Sequence, residues 1–361
     1  MKRIVLLSLG GLLIFTGLSC ARKPPREGEH KVYYPGGELK AVWRYHQGKK
    51  DGAFQQYYKN GQLHSEGEYK NGLLDGLSKG YYANGQLSNV LNIVHEKAEG
   101  PFKDYYDNGR LKVEGNYKNN KKEGLVKTYY ETGALNREEN YQDGLLQGIS
   151  RVYYPNGTMQ AMEGYKVGLK DGTATMFFPN GGTYSIRTYK EGRLSGIARD
   201  YYLNGQWKSV SHYKEDQWDG DFREYYQDGS LKRKAHYGKG KRLGSVKTYY
   251  PGGKLKGAGY YKDDKLQGAG QAYDEEGSLI LETDFESGTP AGVSKEYYPN
   301  GDIRAIVEYS DDRETSLVTE FYPDGGVARE AIYESGKLKS RKQYDRQGKV
   351  IAEENGLPQK Q

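Results

Sequence analysis

Leu125-Val126-Lys127-Thr128-Tyr129-Tyr130-Glu131-Thr132-Gly133-Ala134-Leu135-Asn136-Arg137-Glu138-Glu139-Asn140-Tyr141-Gln142-Asp143-Gly144-Leu145-Leu146-Gln147-Gly148 holds one complete copy of the pattern that fills this chain. Residues 125–130 are a β-prone run of branched and aromatic side chains. Glu131-Thr132-Gly133 turns the chain, residues 135–141 form a second run, Gln142-Asp143-Gly144 turns it again, and Gly148 closes the unit. Strand, Gly turn, strand, Gly turn is a β-hairpin. Leu135 and Tyr141 are six residues apart, an even spacing that puts both on one face of the second strand.

The same unit recurs outward in both directions at a period of 24 residues. Aromatic pairs run from Tyr33-Tyr34 through Tyr57-Tyr58 and Tyr129-Tyr130 to Phe321-Tyr322, and Tyr273-Asp274 fills the single gap in the series. A turn Gly follows each pair, as at Gly61, Gly85, Gly157 and Gly301, often as Asn-Gly. Gly supplies φ > 0 without steric cost, and Asn tolerates left-handed geometry. Leu39, Leu63 and Leu87 and the second-strand aromatics Tyr45, Tyr69 and Tyr117 recur with the same spacing. No single hairpin buries such side chains, so stacked Leu and Tyr rows are expected to form the core. The closing Gly reads as the tight passage between units. It becomes Ser316 near the end, and the last interval shortens to Tyr344 and Gly348, as in a capping repeat. About fourteen units result. The expectation is an all-β, elongated single array of stacked hairpins over residues 31–348, with a cap or tail at 349–361.

The Tyr57-Tyr58-Lys59-Asn60-Gly61-Gln62-Leu63 block, followed by Tyr69-Lys70-Asn71-Gly72-Leu73-Leu74-Asp75-Gly76, resembles the MORN repeat, and more closely its bacterial variant. It differs from the typical motif in that Gly comes three residues after the second Tyr rather than two, and in lacking the typical Trp. The resemblance runs from Tyr33 to about Gly348. It implies a hairpin array that acts as a binding module or scaffold without chemistry of its own. One bacterial branch is described as antitoxin-like, neutralising a toxin by binding it.

Composition agrees with a repeat array. Apolar residues make up only 35% of the chain, but the 13% aromatic content falls at fixed positions, which argues for order. The 50 Gly residues have no three-residue period, which excludes collagen. The net charge of +6 includes Lys2 and Arg3 of the leader, and the signs are mixed throughout, so no nucleic-acid partner is expected.

Residues 1–20 read as an export signal. Met1-Lys2-Arg3 is a positive start, and Ile4 to Phe15 is an apolar stretch too short to span a bilayer. The stretch Thr16-Gly17-Leu18-Ser19-Cys20 resembles a lipobox, with Gly17 where Leu is usual, and it implies lipidation at Cys20, the one cysteine in the chain. Residues 21–30 read as a solvated, Pro-containing tether. The expected location is the cell envelope, with a lipid anchor in the membrane.

No catalytic, cofactor-binding or metal-binding group emerges from the sequence. His212 and His236 are one period apart, roughly 10 Å in a stacked array, too far to share one zinc ion. Asp263-Asp264 and Asp311-Asp312 read as turn acids without the rest of a calcium loop. One surface row is a candidate site. Lys79, Lys103, Lys127, Arg151, Arg199, Arg223 and Lys247 precede Tyr81, Tyr105, Tyr129, Tyr153, Tyr201, Tyr225 and Tyr249 by two residues, so each base shares a strand face with its Tyr. Stacked, they make a ladder suited to an acidic protein surface or to sugar rings. The plainer reading is a solvated face whose long bases cover aromatic area. The expected function is non-enzymatic binding of a protein partner through the Tyr-rich face, with an antitoxin or immunity role as one form. The alternative is a cell-wall or glycan-binding module, an analogy weakened by the inequivalent positions of the three tryptophans Trp43, Trp207 and Trp218.

Overall fold

A computed structural model describes residues 25–356. The leader, Cys20 and the first part of the tether lie outside the described residues. All regular structure within them is β, in antiparallel strands, and none of it is a helix long and apolar enough to cross a membrane. Contacts group the chain into two units, Met1–Gly181 and Gly182–Gln361.

Both units are built from the hairpin read in the sequence. In the first, Gly52–Tyr57 pairs with Leu63–Lys70, Gly76–Tyr81 with Leu87–Val94, and Lys121–Tyr129 with Leu135–Gln142. In the second, Gly196–Tyr201 pairs with Trp207–Lys214 and Gly220–Tyr225 with Leu231–Gly238. Pairing extends beyond the expected array limits at both ends. Gly28–Tyr33 already pairs with Leu39–His46, so residues 28–30 belong to the first hairpin and not to a free tether. Val350–Asn355 pairs with Lys337–Tyr344, so residues 350–355 of the expected cap or tail form a strand that continues the sheet.

The two turns of the unit are held differently. At the first, Tyr58 N–H donates to the Gln62 carbonyl at 2.8 Å and Gly61 N–H to the Tyr58 carbonyl at 3.0 Å. Gly61 takes φ of +83°, whereas Asn60 keeps negative φ. The expectation that Asn serves by left-handed geometry is therefore corrected. Its side-chain oxygen accepts from Gln62 N–H at 3.0 Å, and its amide donates to the Ala83 carbonyl of the next hairpin at 3.0 Å. At the second turn both central residues have positive φ, as at Asp143 (+50°) and Gly144 (+80°), the type I′ geometry that suits strand twist.

Where the second aromatic of a pair is Tyr, its hydroxyl staples successive hairpins. Tyr58 Oη donates to the Tyr81 carbonyl at 2.8 Å, Tyr82 to Tyr105 at 2.7 Å, Tyr130 to Tyr153 at 2.7 Å, Tyr202 to Tyr225 at 2.9 Å and Tyr298 to Phe321 at 2.7 Å. Each bond spans 23 residues, one unit less one residue. At the opposite end of the hairpin, Gly72 N–H reaches the Lys50 carbonyl at 2.8 Å and Gly144 N–H the Lys122 carbonyl at 3.0 Å.

The most buried row differs from the expected one. Of the expected Tyr row only Tyr237 and the apolar substitute Ile93 are buried; Leu63 and Tyr69 are half-buried, and Trp207 is exposed. The largest regular row of buried positions lies instead on the first strand, two residues after the closing Gly, at Phe54, Phe102, Val126, Ala174, Ala198, Phe222 and Val246, and small residues such as Ala41, Ala161 and Ala235 are buried on the second strand. In the first unit, Phe54, Leu74, Ile93 and Ala98 cluster, with Trp43 stacked on Phe54 at 5.2 Å between ring centroids. In the second unit, Phe222, Ala235, Tyr237 and Val246 cluster under Trp218, which stacks on Phe222 at 5.2 Å. Two of the three tryptophans therefore serve the core.

Candidate functional site

Strand alternation puts the bases of the ladder one position away from the buried row, and so on the opposite face of the sheet. The first unit brings the expected ladder residues together around carboxylates that the sequence reading missed. Lys79 Nζ and Tyr81 Oη converge on one oxygen of Glu66, at 3.3 and 2.8 Å. Glu114 lies 3.8 Å from Lys103 Nζ and accepts from Tyr129 Oη at 2.7 Å. Glu138 lies 3.5 Å from Lys127 Nζ and accepts from Tyr153 Oη at 3.0 Å. The register makes the pattern continuous: Lys103 faces Glu114, Glu114 faces Lys127, Lys127 faces Glu138, and Glu138 faces Arg151. Tyr105 has Val90 where Glu66, Glu114 and Glu138 serve the other tyrosines.

Base and acid thus alternate across neighbouring strands in this stretch. Each such exposed pair contributes at most about 1 kcal/mol. The carboxylates also change the phenols. Burial, followed by the Glu66 hydrogen bond, pushes Tyr81 up to about 12, and burial with Glu114 does the same for Tyr129. In return, the Tyr81 hydroxyl, helped by Lys79, holds Glu66 below the ordinary carboxylate value. The missed signal was an acid 15 residues before the Tyr, present at Glu66, Glu114 and Glu138.

In the second unit the row is composed differently. Arg199 faces Val210, Val210 faces Arg223, Arg223 faces Lys234, and Lys234 faces Lys247. Tyr201, Tyr225 and Tyr249 continue the ladder here, with Ile186, Val210 and Lys234 at the positions where the first unit carries its glutamates. Trp207, exposed, packs beside Tyr225 at 5.9 Å.

His212 and His236 meet through Asp221, which lies on the strand between them. Asp221 Oδ1 is 2.9 Å from His236 Nδ1, and the Asp221 carbonyl is 2.8 Å from His212 Nδ1. The His236 contact, with Arg223 and His212 further away, lowers the Asp221 carboxyl. Among the described residues no group of three or more His, Cys, Asp or Glu side chains is placed to hold a metal ion.

No curated protein matches the chain. Among solved structures, TcdB2-TccC3 is similar at 13% identity and a TM-score of 0.16, covering 91% of this chain but 22% of that one. The present chain thus spans less than a quarter of that structure's length. The periplasmic gluconolactonase PpgL of Pseudomonas aeruginosa is similar at 13% identity, with coverage of 92% and 85% and a TM-score of 0.15. TM-scores this low carry no argument about either fold or activity. The model of the MORN repeat variant family is a different matter. It matches residues 26–47, 50–71, 74–94, 98–119, 122–143, 146–166, 170–191, 218–239, 242–263 and 291–311, in register with the hairpins and together more than half of the chain. The chain belongs to the MORN repeat variant family.

Proposed function

We propose that this protein is a non-enzymatic binding protein that engages another protein through the Tyr and Lys/Arg ladder, held at the cell envelope by a lipid on Cys20. The observation that carries the reading is the ladder face itself. Within each unit it is a row of side chains in register across many strands, open to solvent on the side away from the buried row. Repeat arrays use such surfaces for binding. Neutralisation of a toxin by capture is one form the activity takes in this reading. Crosslinked affinity capture from native membranes tests it. One stoichiometric protein partner, lost when Lys103, Lys127 and Arg151 or their second-unit counterparts are changed to Glu, is the expected result. Turnover of a substrate by the purified protein, abolished by single substitutions, would remove the proposal.

A glycan-binding reading has one specific observation in its favour: the exposed ring of Trp207 beside Tyr225 offers a flat surface for a sugar. Sedimentation with purified cell-wall sacculi, abolished by Trp207→Ala, would favour it over the protein partner.

A further inference from the structure

The ladder alternates base and acid without a break from Lys103 to Arg151 in the first unit, and no comparable stretch exists from Arg199 to Lys247 in the second. From Lys103 to Arg151 every base has a glutamate as its cross-strand neighbour. From Arg199 to Lys247 the neighbours are Val210, then bases against bases: Arg223 beside Lys234, and Lys234 beside Lys247. Adjacent strands are roughly 4.8 Å apart, and like charges directly opposite destabilise a sheet. The carboxylate nearest these bases is that of Asp221, 3.8 Å from Arg223 and already engaged by His236 at 2.9 Å. Among the described residues no carboxylate receives the hydroxyls of Tyr201, Tyr225 and Tyr249, although the equivalent Tyr81, Tyr129 and Tyr153 each donate to one. The same strand positions that stabilise one unit are set against stability in the other. Such local conflicts mark sites kept for function.

We infer that the row Arg199, Arg223, Lys234 and Lys247, with Tyr201, Tyr225 and Tyr249, is the docking site for an acidic segment of another polypeptide, whose carboxylates, laid over this face, serve the bases and phenols as Glu114 and Glu138 do in the first unit. The inference rests on the protein-binding reading above and narrows it to one surface and one partner chemistry. The acceptor is a carboxylate because the chain's own solution at equivalent positions is a carboxylate, held between a base and a phenol. The spacing gives the form of the segment. Acceptor positions recur once per hairpin, every two strands, or roughly 9.6 Å. A polyproline II chain has three residues per turn and rises about 3.1 Å per residue, so it returns to the same side every ~9.3 Å. The fitting ligand is an extended segment with Asp or Glu at every third residue, running across the strands.

The test uses the full chain and a labelled peptide of repeated Glu-Pro-Pro triplets, followed by fluorescence anisotropy. A control peptide of the same composition has its glutamates clustered at one end. The triplet peptide is expected to bind, and to bind more tightly than the clustered one. Arg223→Glu with Lys247→Glu is expected to weaken it about tenfold or more, as loss of close charge pairs does. Val210→Glu is the decisive variant, because it supplies internally the carboxylate that the peptide would bring. It is expected to raise the thermal midpoint and abolish binding together, so misfolding cannot account for the loss. No binding of the triplet peptide overturns the inference, as do equal binding of the two peptides and unchanged binding to Val210→Glu. Tighter binding to anionic phospholipid vesicles than to the peptide also overturns it, in favour of a membrane surface. Failure of the underlying reading is distinguishable. A native protein partner captured equally by wild type and Val210→Glu leaves protein binding standing and removes this site; no partner captured by either removes protein binding itself.

Discussion

The second tyrosine of each pair is chosen for its hydroxyl. Tyr130 is half-buried and donates at 2.7 Å to the Tyr153 carbonyl of the next hairpin, a bond that Phe does not make. Tyr130→Phe is expected to lower stability by about 1 kcal/mol, read as a fall in urea midpoint at unchanged slope. Val167 carries the opposite lesson. It is a β-branched residue with φ of +50° in a type I′ turn where Asn71 and Asp143 hold the same position, and its side chain is exposed. Left-handed geometry is a genuine outlier for valine. Val167→Asn should therefore raise stability by roughly 1 kcal/mol, since Asn accepts this conformation readily. A thermal midpoint that stayed level or fell would show that the turn gains nothing from the change. The sequence revealed where the tyrosine pairs sit, but not why the second is Tyr. Its acceptor is a main-chain carbonyl, which leaves no mark on the identity of the partner residue.

At the scale of the hairpin, the closing Gly works as a bulge. Gly220 opens its strand with φ of +117°, and a Cβ there would meet His212 Cβ at 3.0 Å. Gly220→Ala combines backbone strain with a contact that tight, and is expected to cost about 2 kcal/mol in chemical denaturation. Where Gly gives way to Ser316, pairing from Ala305↔Glu320 to Tyr309↔Ser316 runs without a register shift; where Gly is kept, shifts occur, as between Glu114 and Asn116 or Glu163 and Tyr165. The hairpins and turns were legible because glycine and aromatic residues are fixed at their positions. The core was less so. Its central row is Phe54, Ser78, Phe102, Val126, Ser150 and Ala174 in successive units, a mixture of large, small, polar and apolar that gives no compositional signal. The eye follows the repeated Leu and Tyr instead, and they are only half-buried.

Across the whole molecule, the ladder's bases and tyrosines were legible from a spacing of two, whereas its acids were not. They occur in only some hairpins and become partners through register between strands, which no local window displays. Their effect on the phenols is measurable. Tyr81 and Tyr129 are each raised to about 12 in the folded chain, chiefly by burial and then by Glu66 and Glu114. In the unfolded chain phenols ionise near 10. The folded state holds these protons longer, so their contribution is intact below about pH 10 and is lost as pH rises toward 12. Denaturant midpoints should fall across that window, and the absorbance titration of the phenols should show a class ionising late. A single transition near pH 10 at constant stability would contradict the burial and carboxylate contacts described.

The tyrosine staple has a consequence for how such a chain changes over generations. Its donor is a side chain within one unit, and its acceptor is a peptide carbonyl that every residue possesses. Any unit can therefore follow any other. Excision of residues 106–129 would join Tyr105 to Tyr130: the Tyr82 hydroxyl would still find the carbonyl of Tyr105, and Tyr130 that of Tyr153. The gene can lengthen or shorten in steps of one period by unequal recombination, and the protein it encodes keeps its grammar at every length.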